Sequence, residues 1–233
     1  MVGHPILERN YSPDRVRRQY RSVAWFYDAW GKLTETKAVD RLLQQADVTD
    51  GSRVLEVAVG TGRLFANIAA LNPSGHLEGV DLSTEMLERA RRRMDNSGTH
   101  SPYRLQEADA YKLPFDDASF DYLFNTYMLD LLPAGDFPRL LQEFSRVLRP
   151  GGKLALANFS PGTKNVHNLW YWLARLVPAL LTDCRPVLSQ AAVRNAGFEI
   201  LFEQEMSQNT FPSAIMVAQN GSEKSVQPDY RDV

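Results

Sequence analysis

The chain has 233 residues, with 26 Lys+Arg against 28 Asp+Glu and a formal net charge of −2. That length supports one large core, and the near-neutral balance excludes the basic field of a protein whose main partner is bulk nucleic acid. One cysteine, Cys184, excludes an intrachain disulfide and a thiolate metal site and points to a reducing, cytoplasmic compartment.

Residues 1–9 carry no apolar run of signal-peptide length. Residues 1–50 are expected to form a helical lid, with one or two helices between Asp14 and Asp47 rich in aromatics: Tyr20, Trp25, Phe26, Tyr27 and Trp30. Short β-branched or apolar runs then mark strands at Arg53–Ala58, His76–Asp81, Tyr103–Glu107, Tyr122–Thr126 and Lys153–Phe159. Helices are expected between them. Ser83 is a good N-cap, Asp136 starts a helix with apolar Phe137, Leu140, Leu141, Phe144, Val147 and Leu148, and Pro150-Gly151-Gly152 stops it. A further helix is expected near 165–181, its broad apolar stripe at 166, 169, 170, 173, 176, 177 and 180. Glu199–Glu203 and Ala214–Ala218, turning near Phe211-Pro212-Ser213, close the sheet; 219–233 read as a flexible tail. The alternation predicts an α/β fold: a Rossmann-like seven-stranded mostly parallel sheet, helices on both faces, with an antiparallel last strand. Residues 51–218 hold it.

The sharpest motif is Val54-Leu55-Glu56-Val57-Ala58-Val59-Gly60-Thr61-Gly62, an apolar strand running through a small-residue turn into a helix. Gly60 and Gly62 permit a tight turn and close ligand approach, and the helix N-terminus favours an anionic group. About 20 residues on, Gly79-Val80-Asp81 ends a strand where a carboxylate can accept from both ribose hydroxyls. Together they indicate an adenosine-containing ligand. A dinucleotide fingerprint needs a third glycine three residues after Gly62, where this chain has Phe65, and Glu56 beside the turn would repel a pyrophosphate yet suit a cationic ligand. Asp109 can accept from an adenine amino group and the Ala110 N–H can donate to a ring nitrogen. Met86 serves either the core or the adenine.

With Ala108-Asp109-Ala110, Leu113-Pro114-Phe115 and Arg146-Val147-Leu148-Arg149-Pro150-Gly151-Gly152 following in order, the sequence resembles the class I S-adenosylmethionine-dependent methyltransferases. Within them it is similar to the C-methyltransferases of ubiquinone and menaquinone biosynthesis and their small-molecule relatives. The resemblance implies S-adenosyl-L-methionine as cofactor. It places the turn Gly60, Thr61 and Gly62 on the methionine part, Asp81 on the ribose, Leu82, Met86, Asp109 and Ala110 on the adenine, and Asn125 beside the methionine part; Tyr27, Glu56 and Ala58 complete the expected cofactor-binding set. The family's N-terminal Tyr-Asp pair, here Tyr27-Asp28, covers the cofactor.

The expected activity is methyl transfer to a small, hydrophobic or aromatic acceptor: a quinone, lipid or secondary metabolite, methylated at C, O or N. Trp30, Tyr127, Met128 and Trp170 are the expected acceptor wall, and Asp130, Tyr27 and His167 the catalytic candidates, with Tyr127 as a further base candidate and His167 on the polar side of its helix. Where the quinone group has Arg-Asn after strand four, this chain has Asp130-Leu131. No metal and no nucleic-acid partner are expected; peripheral membrane contact through Leu169–Leu181 and the oligomeric state stay open. An NAD(P)-dependent reductase and a catalytically silent methyltransferase-fold interaction protein are the rival readings.

Overall fold

A computed structural model describes residues 30–176 and 184–221. The elements in chain order are α1 (Thr36–Ala46), β1 (Arg53–Val57), α2 (Arg63–Leu71), β2 (His76–Asp81), α3 (Thr84–Asp95), β3 (Tyr103–Glu107) and β4 (Phe120–Thr126). Then follow α4 (Phe137–Val147), β5 (Leu148–Phe159), α5 (Asn168–Leu176), α6 (Gln190–Asn195), β6 (Phe198–Gln208) and β7 (Phe211–Asn220). The strands form one seven-stranded sheet of order β3-β2-β1-β4-β5-β7-β6. β1 to β5 run parallel, and β7 lies antiparallel between β5 and β6. The chain reverses its direction of travel across the sheet between β3 and β4. The C-terminal ends of β1 and β4 therefore border the crevice in which ligands of such sheets bind.

Alternation along the strands feeds two cores. On one face Val54, Phe124, Ala155 and Val217 meet Ala38, Val39, Leu42 and Leu43 of α1, Phe65 and Ile68 of α2 and Leu87 and Ala90 of α3. On the other, Leu55, Leu123, Leu154 and Met216 meet Leu140, Leu141 and Phe144 of α4 and Val193 of α6. The two-residue strand period makes this sorting possible. α1, expected inside a lid, is thus a structural layer of the domain.

Three expectations change. The closing hairpin turns at Asn209-Thr210, both with positive φ (49° and 68°), the two-residue geometry that matches strand twist; Phe211-Pro212-Ser213 belongs to β7. β7 also extends past 218, because the Asn220 side chain donates to the carbonyls of Ser145, Leu148 and Arg149 and anchors the strand to the end of α4. In α5 the broad stripe does not face inward as a whole. Of its described positions Val166, just before the helix, Leu169 and Leu176 are exposed and Trp170 and Leu173 half-buried, while the buried side chains, Tyr171 and Ala174, lie off the stripe. Positions 177–181 of that expected helix lie outside the described residues. Among the described residues no helix is long and apolar enough to cross a membrane, and no group of His, Cys, Asp and Glu could hold a metal ion.

Candidate active site

The first functional turn follows β1. Ala58 takes a left-handed conformation (φ 62°), and so do Gly60 (53°) and Gly62 (76°). The two glycines do different work. A Cβ on Gly62 would stand 2.8 Å from both Cα and Cβ of Ala90, so this glycine lets α2 approach α3. A Cβ on Gly60 would meet nothing within 4 Å, and Gly60 lines the cavity beside the turn. Its missing side chain leaves room for a ligand.

Asp81, at the end of β2, ties this turn to the next one. One carboxylate oxygen accepts from the Gly60 N–H at 2.9 Å and the other from the Ser83 N–H at 2.9 Å. Ser83 in turn caps α3 by accepting from the Met86 N–H. Burial raises the Asp81 pKa, against the lowering effect of those N–H donors. Glu56 is 2% exposed, one of its carboxylate oxygens has no hydrogen-bond partner, and burial, reinforced by the Asp81 charge, holds its pKa well above the usual range. A buried carboxyl with an unsatisfied oxygen beside a ligand cavity suits a positively charged guest.

A single cleft joins these groups. It encloses about 1250 Å³ of non-atom space, its open mouth included. Of the expected cofactor residues, Glu56, Ala58, Gly60, Thr61, Asp81, Leu82, Met86 and Ala110 line it; of the expected acceptor wall, Tyr127 and Met128 do. Tyr127 has φ 53°, is 5% exposed, and its hydroxyl shares a 2.8 Å hydrogen bond with Ser213. Burial, followed by the charge of Glu35, pushes its pKa well above the ordinary phenol value, so it is held as the neutral hydroxyl.

Other expected residues lie elsewhere. Asn125 is fully buried and donates to the Val57 carbonyl at 2.9 Å, joining β4 to β1. Asp109 is exposed and accepts from the Tyr111 N–H at 2.9 Å, shaping the loop. Trp30 and Trp170 sit behind the wall, edge-on to each other at 6.0 Å, and both pack on Phe211, which lies 6.4 Å from the Tyr127 ring. Asp130 is a correction. It is fully buried, outside the cleft lining, and accepts from the Phe159 N–H at 2.9 Å, fastening the segment after β4 to the end of β5. Burial raises its pKa well above the ordinary value. His167 is a second correction: it is 3% exposed rather than solvated. Its Nδ1 accepts from the Lys164 N–H, its ring lies against the Cα side of Gly162, and burial lowers its pKa. Tyr27 lies outside the described residues.

The structure also adds residues. Gly31, Glu35 and Val39, spaced by four, line the same cleft, as do Arg63 and Leu132. The i, i+4, i+8 spacing was the available signal: a charged residue sharing a face with a glycine and a valine. Burial raises the Glu35 pKa to about 7, against the lowering influence of Arg63.

The Leu113-Pro114-Phe115 motif owes its position to Arg146. Its guanidinium donates to the Leu113 and Phe115 carbonyls and to Glu143, and Glu143 accepts from the Leu113 N–H. A half-buried ion pair on α4 thereby clamps the loop next to Ala110.

Comparison with known proteins agrees with this geometry. Residues 54–152 match the methyltransferase domain family. The demethylmenaquinone methyltransferase of Listeria welshimeri is 36% identical over 167 residues, covering 68% of this chain and 70% of that protein. That of Thermus thermophilus is 35% identical over 146 residues, covering 62% and 63%. An uncharacterized protein of Haemophilus influenzae is 36% identical over 118 residues, 51% of this chain and 47% of its own length. Among solved structures, a SAM-dependent methyltransferase from Methanosarcina mazei aligns with TM-score 0.66 at 18% identity, over 78% of this chain and 98% of its own. The cyclase SpnF aligns with TM-score 0.74 at 18% identity, over 94% of this chain and 99% of its own. The chain belongs to the class I S-adenosylmethionine-dependent methyltransferases. S-adenosylmethionine is the cofactor of that class, and the Gly60 clearance, the Glu56 carboxyl and Asp81 fit it.

Proposed function

We propose that this protein transfers the methyl group of S-adenosylmethionine to a small apolar or aromatic acceptor. One observation carries the reading: a single cleft joins the turn and carboxylates of a nucleoside site to a wall of Val39, Leu64, Tyr127, Met128, Leu131 and Leu132. The cofactor supplies an already activated methyl on a sulfonium. What remains for the chain is to hold acceptor and donor in line and to exclude water. Gly60 and Thr61 would hold the methionine end, Asp81 the ribose, and Leu82, Met86 and Ala110 the adenine. Tyr127 and Met128, at the end of β4, border the place where the two halves of the cleft meet.

The Listeria relatives' name points to a quinone-type acceptor. Asp130-Leu131 stands where the quinone group has Arg-Asn, so the acceptor of this chain is read more widely, as a small apolar ring compound. The likeness to the cyclase SpnF is a likeness of fold alone, since one fold serves several chemistries. The test is incubation with methyl-labelled S-adenosylmethionine and a fractionated extract, followed by identification of the labelled product. Label in an apolar small-molecule fraction supports the reading; label confined to protein or nucleic acid contradicts it.

A further inference from the structure

We infer that Glu35 is the proton-accepting residue of the acceptor half of the cleft and that the acceptor is a neutral hydroxyaromatic compound. This deepens the methyltransferase reading and rests on it.

Among the described residues three carboxylates line the cleft. Asp81 is occupied by the Gly60 and Ser83 amides, and Glu56 lies at the turn after β1, so both belong to the donor half. Glu35 stands on the N-cap of α1, with Gly31 and Val39 lining the same cleft, and its charge acts on Tyr127 of the acceptor wall. A Cβ on Gly31 would stand 3.2 Å from the Glu35 Oε2 and 3.9 Å from the Arg63 Nη1, so carboxylate and guanidinium share one end of the cleft. The other candidates drop out. Tyr127 is held neutral with its hydroxyl on Ser213, and Asp130 is bonded to the Phe159 amide outside the lining.

Among the described residues, the ionisable groups that interact electrostatically with Glu35 are Arg63 from α2 and Tyr127 and Asp130 from the segment after β4. On the sheet side of α1, β6 presents Gln204 to Arg41 and Gln208 to the Lys37 amide, while Glu205 is held by Ser160 and Thr163. With its pKa near 7, Glu35 is a carboxylate for much of the population at neutral pH and a competent base toward a weak acid. Arg63 cancels its charge, and the donor brings a second positive charge. A cationic amine would be repelled there, whereas a neutral O–H compound carries no such penalty. The apolar wall suits its ring.

The step balances as follows. The acceptor's O–H bond breaks and its proton passes to Glu35. The electron pair left on the acceptor forms the new bond to the methyl carbon, and the pair of the broken S–C bond stays on sulfur. One cation, one neutral molecule and one carboxylate become a neutral thioether, a methylated product and a carboxylic acid.

The test uses the full chain, S-adenosylmethionine and two probes, 1-naphthol and 1,4-dihydroxynaphthalene, with 1-naphthylmethylamine, an alkylamine that is a cation at neutral pH, as the amine control. Methylation of a hydroxynaphthalene is expected to rise through about pH 7, tracking the Glu35 carboxyl read by 13C NMR. Glu35→Gln should lower kcat by about 100-fold, the lower end of the range for general bases, remove the pH inflection and leave KM within about threefold. Glu35→Asp should recover part of kcat. S-adenosylhomocysteine affinity of Glu35→Gln should stay within about threefold of wild type, which also shows that the variant folds. A tenfold loss of that affinity with kcat retained would make Glu35 a donor-site residue and overturn the inference. So would preference for the amine, a flat pH profile, or no transfer to either hydroxynaphthalene by protein that binds S-adenosylhomocysteine. Failure to bind S-adenosylhomocysteine at all would instead defeat the methyltransferase reading beneath it.

Discussion

The glycines of the first turn give a sharp separation between stability and binding. In Gly62→Ala the new methyl lies 2.8 Å from the Cα and Cβ of Ala90, and the backbone stays at φ 76°. A left-handed non-glycine residue costs about 1–2 kcal/mol and overpacking of a rigid contact about 1–3 kcal/mol, while alanine returns about 0.4–1 kcal/mol by restricting the unfolded chain. The net loss is about 2–4 kcal/mol. Gly60→Ala has no atom within 4 Å of its new Cβ, and nearby Ala58 already holds a left-handed φ of 62°. Its stability loss should be about 1 kcal/mol or less, from the backbone alone. The Gly60 methyl, however, projects into cleft space meant for the cofactor, where a clash of about 1–3 kcal/mol lowers affinity roughly 5- to 150-fold. Urea unfolding gives the first quantity and isothermal titration with S-adenosylhomocysteine the second. Equal stability losses in the two variants, or normal ligand affinity in Gly60→Ala, would refute the reasoning.

Two further predictions concern residues around the site. Asp130→Asn keeps an oxygen for the Phe159 amide and should leave methyl transfer within about threefold, whereas Asp130→Ala strands that amide and loses about 1–3 kcal/mol in urea unfolding. Because burial raises the folded-state Asp130 pKa, its native contribution is complete below the ordinary Asp value of about 4 and is lost as pH rises toward the folded value; wild type should lose ground to Asp130→Asn as pH rises above about 4. A tenfold fall in kcat for Asp130→Asn would restore its role as a base. Arg146→Met frees the 113–117 loop and should destabilise the fold while weakening S-adenosylhomocysteine binding. Glu143 has its pKa lowered, first by the Arg146 hydrogen bond, so the stabilisation is present above the ordinary Glu value of about 4.3 and is lost as pH falls through the folded value. An Arg146→Met penalty that stays constant down to pH 3 would contradict that origin.

The donor half of the site is legible in the sequence because its parts are local. The strand and the positive-φ turn fall within one short motif, Val54 to Gly62, and the carboxylate, Asp81, ends the very next strand. Even the absent third glycine has a physical reading: Phe65 packs over Gly79 of β2, so the close helix–strand approach is made by a glycine on the strand. The acceptor half is assembled from distant segments, and local pattern fails there. Nothing near His167 marks it as buried, since the space it fills is opened by Gly162. Asp130 looks like a base because it follows β4, but its partner is the amide of Phe159, 29 positions away. Trp30 and Trp170 read as acceptor contacts by their chemistry, yet they meet across Phe211, one layer behind Tyr127. Glu35 escapes notice because a lone charged residue in an amphipathic helix is normally solvated.

The central claim, that the cleft is an S-adenosylmethionine site, is tested most directly by isothermal titration of wild type and Asp81→Ala with S-adenosylhomocysteine and with NADH. The account predicts one-to-one binding of S-adenosylhomocysteine to wild type, at least tenfold weaker binding to Asp81→Ala through loss of a charge-assisted contact of about 1.5–3 kcal/mol, and no measurable binding of NADH. Binding of NADH alone, or S-adenosylhomocysteine affinity unchanged by Asp81→Ala, would contradict it.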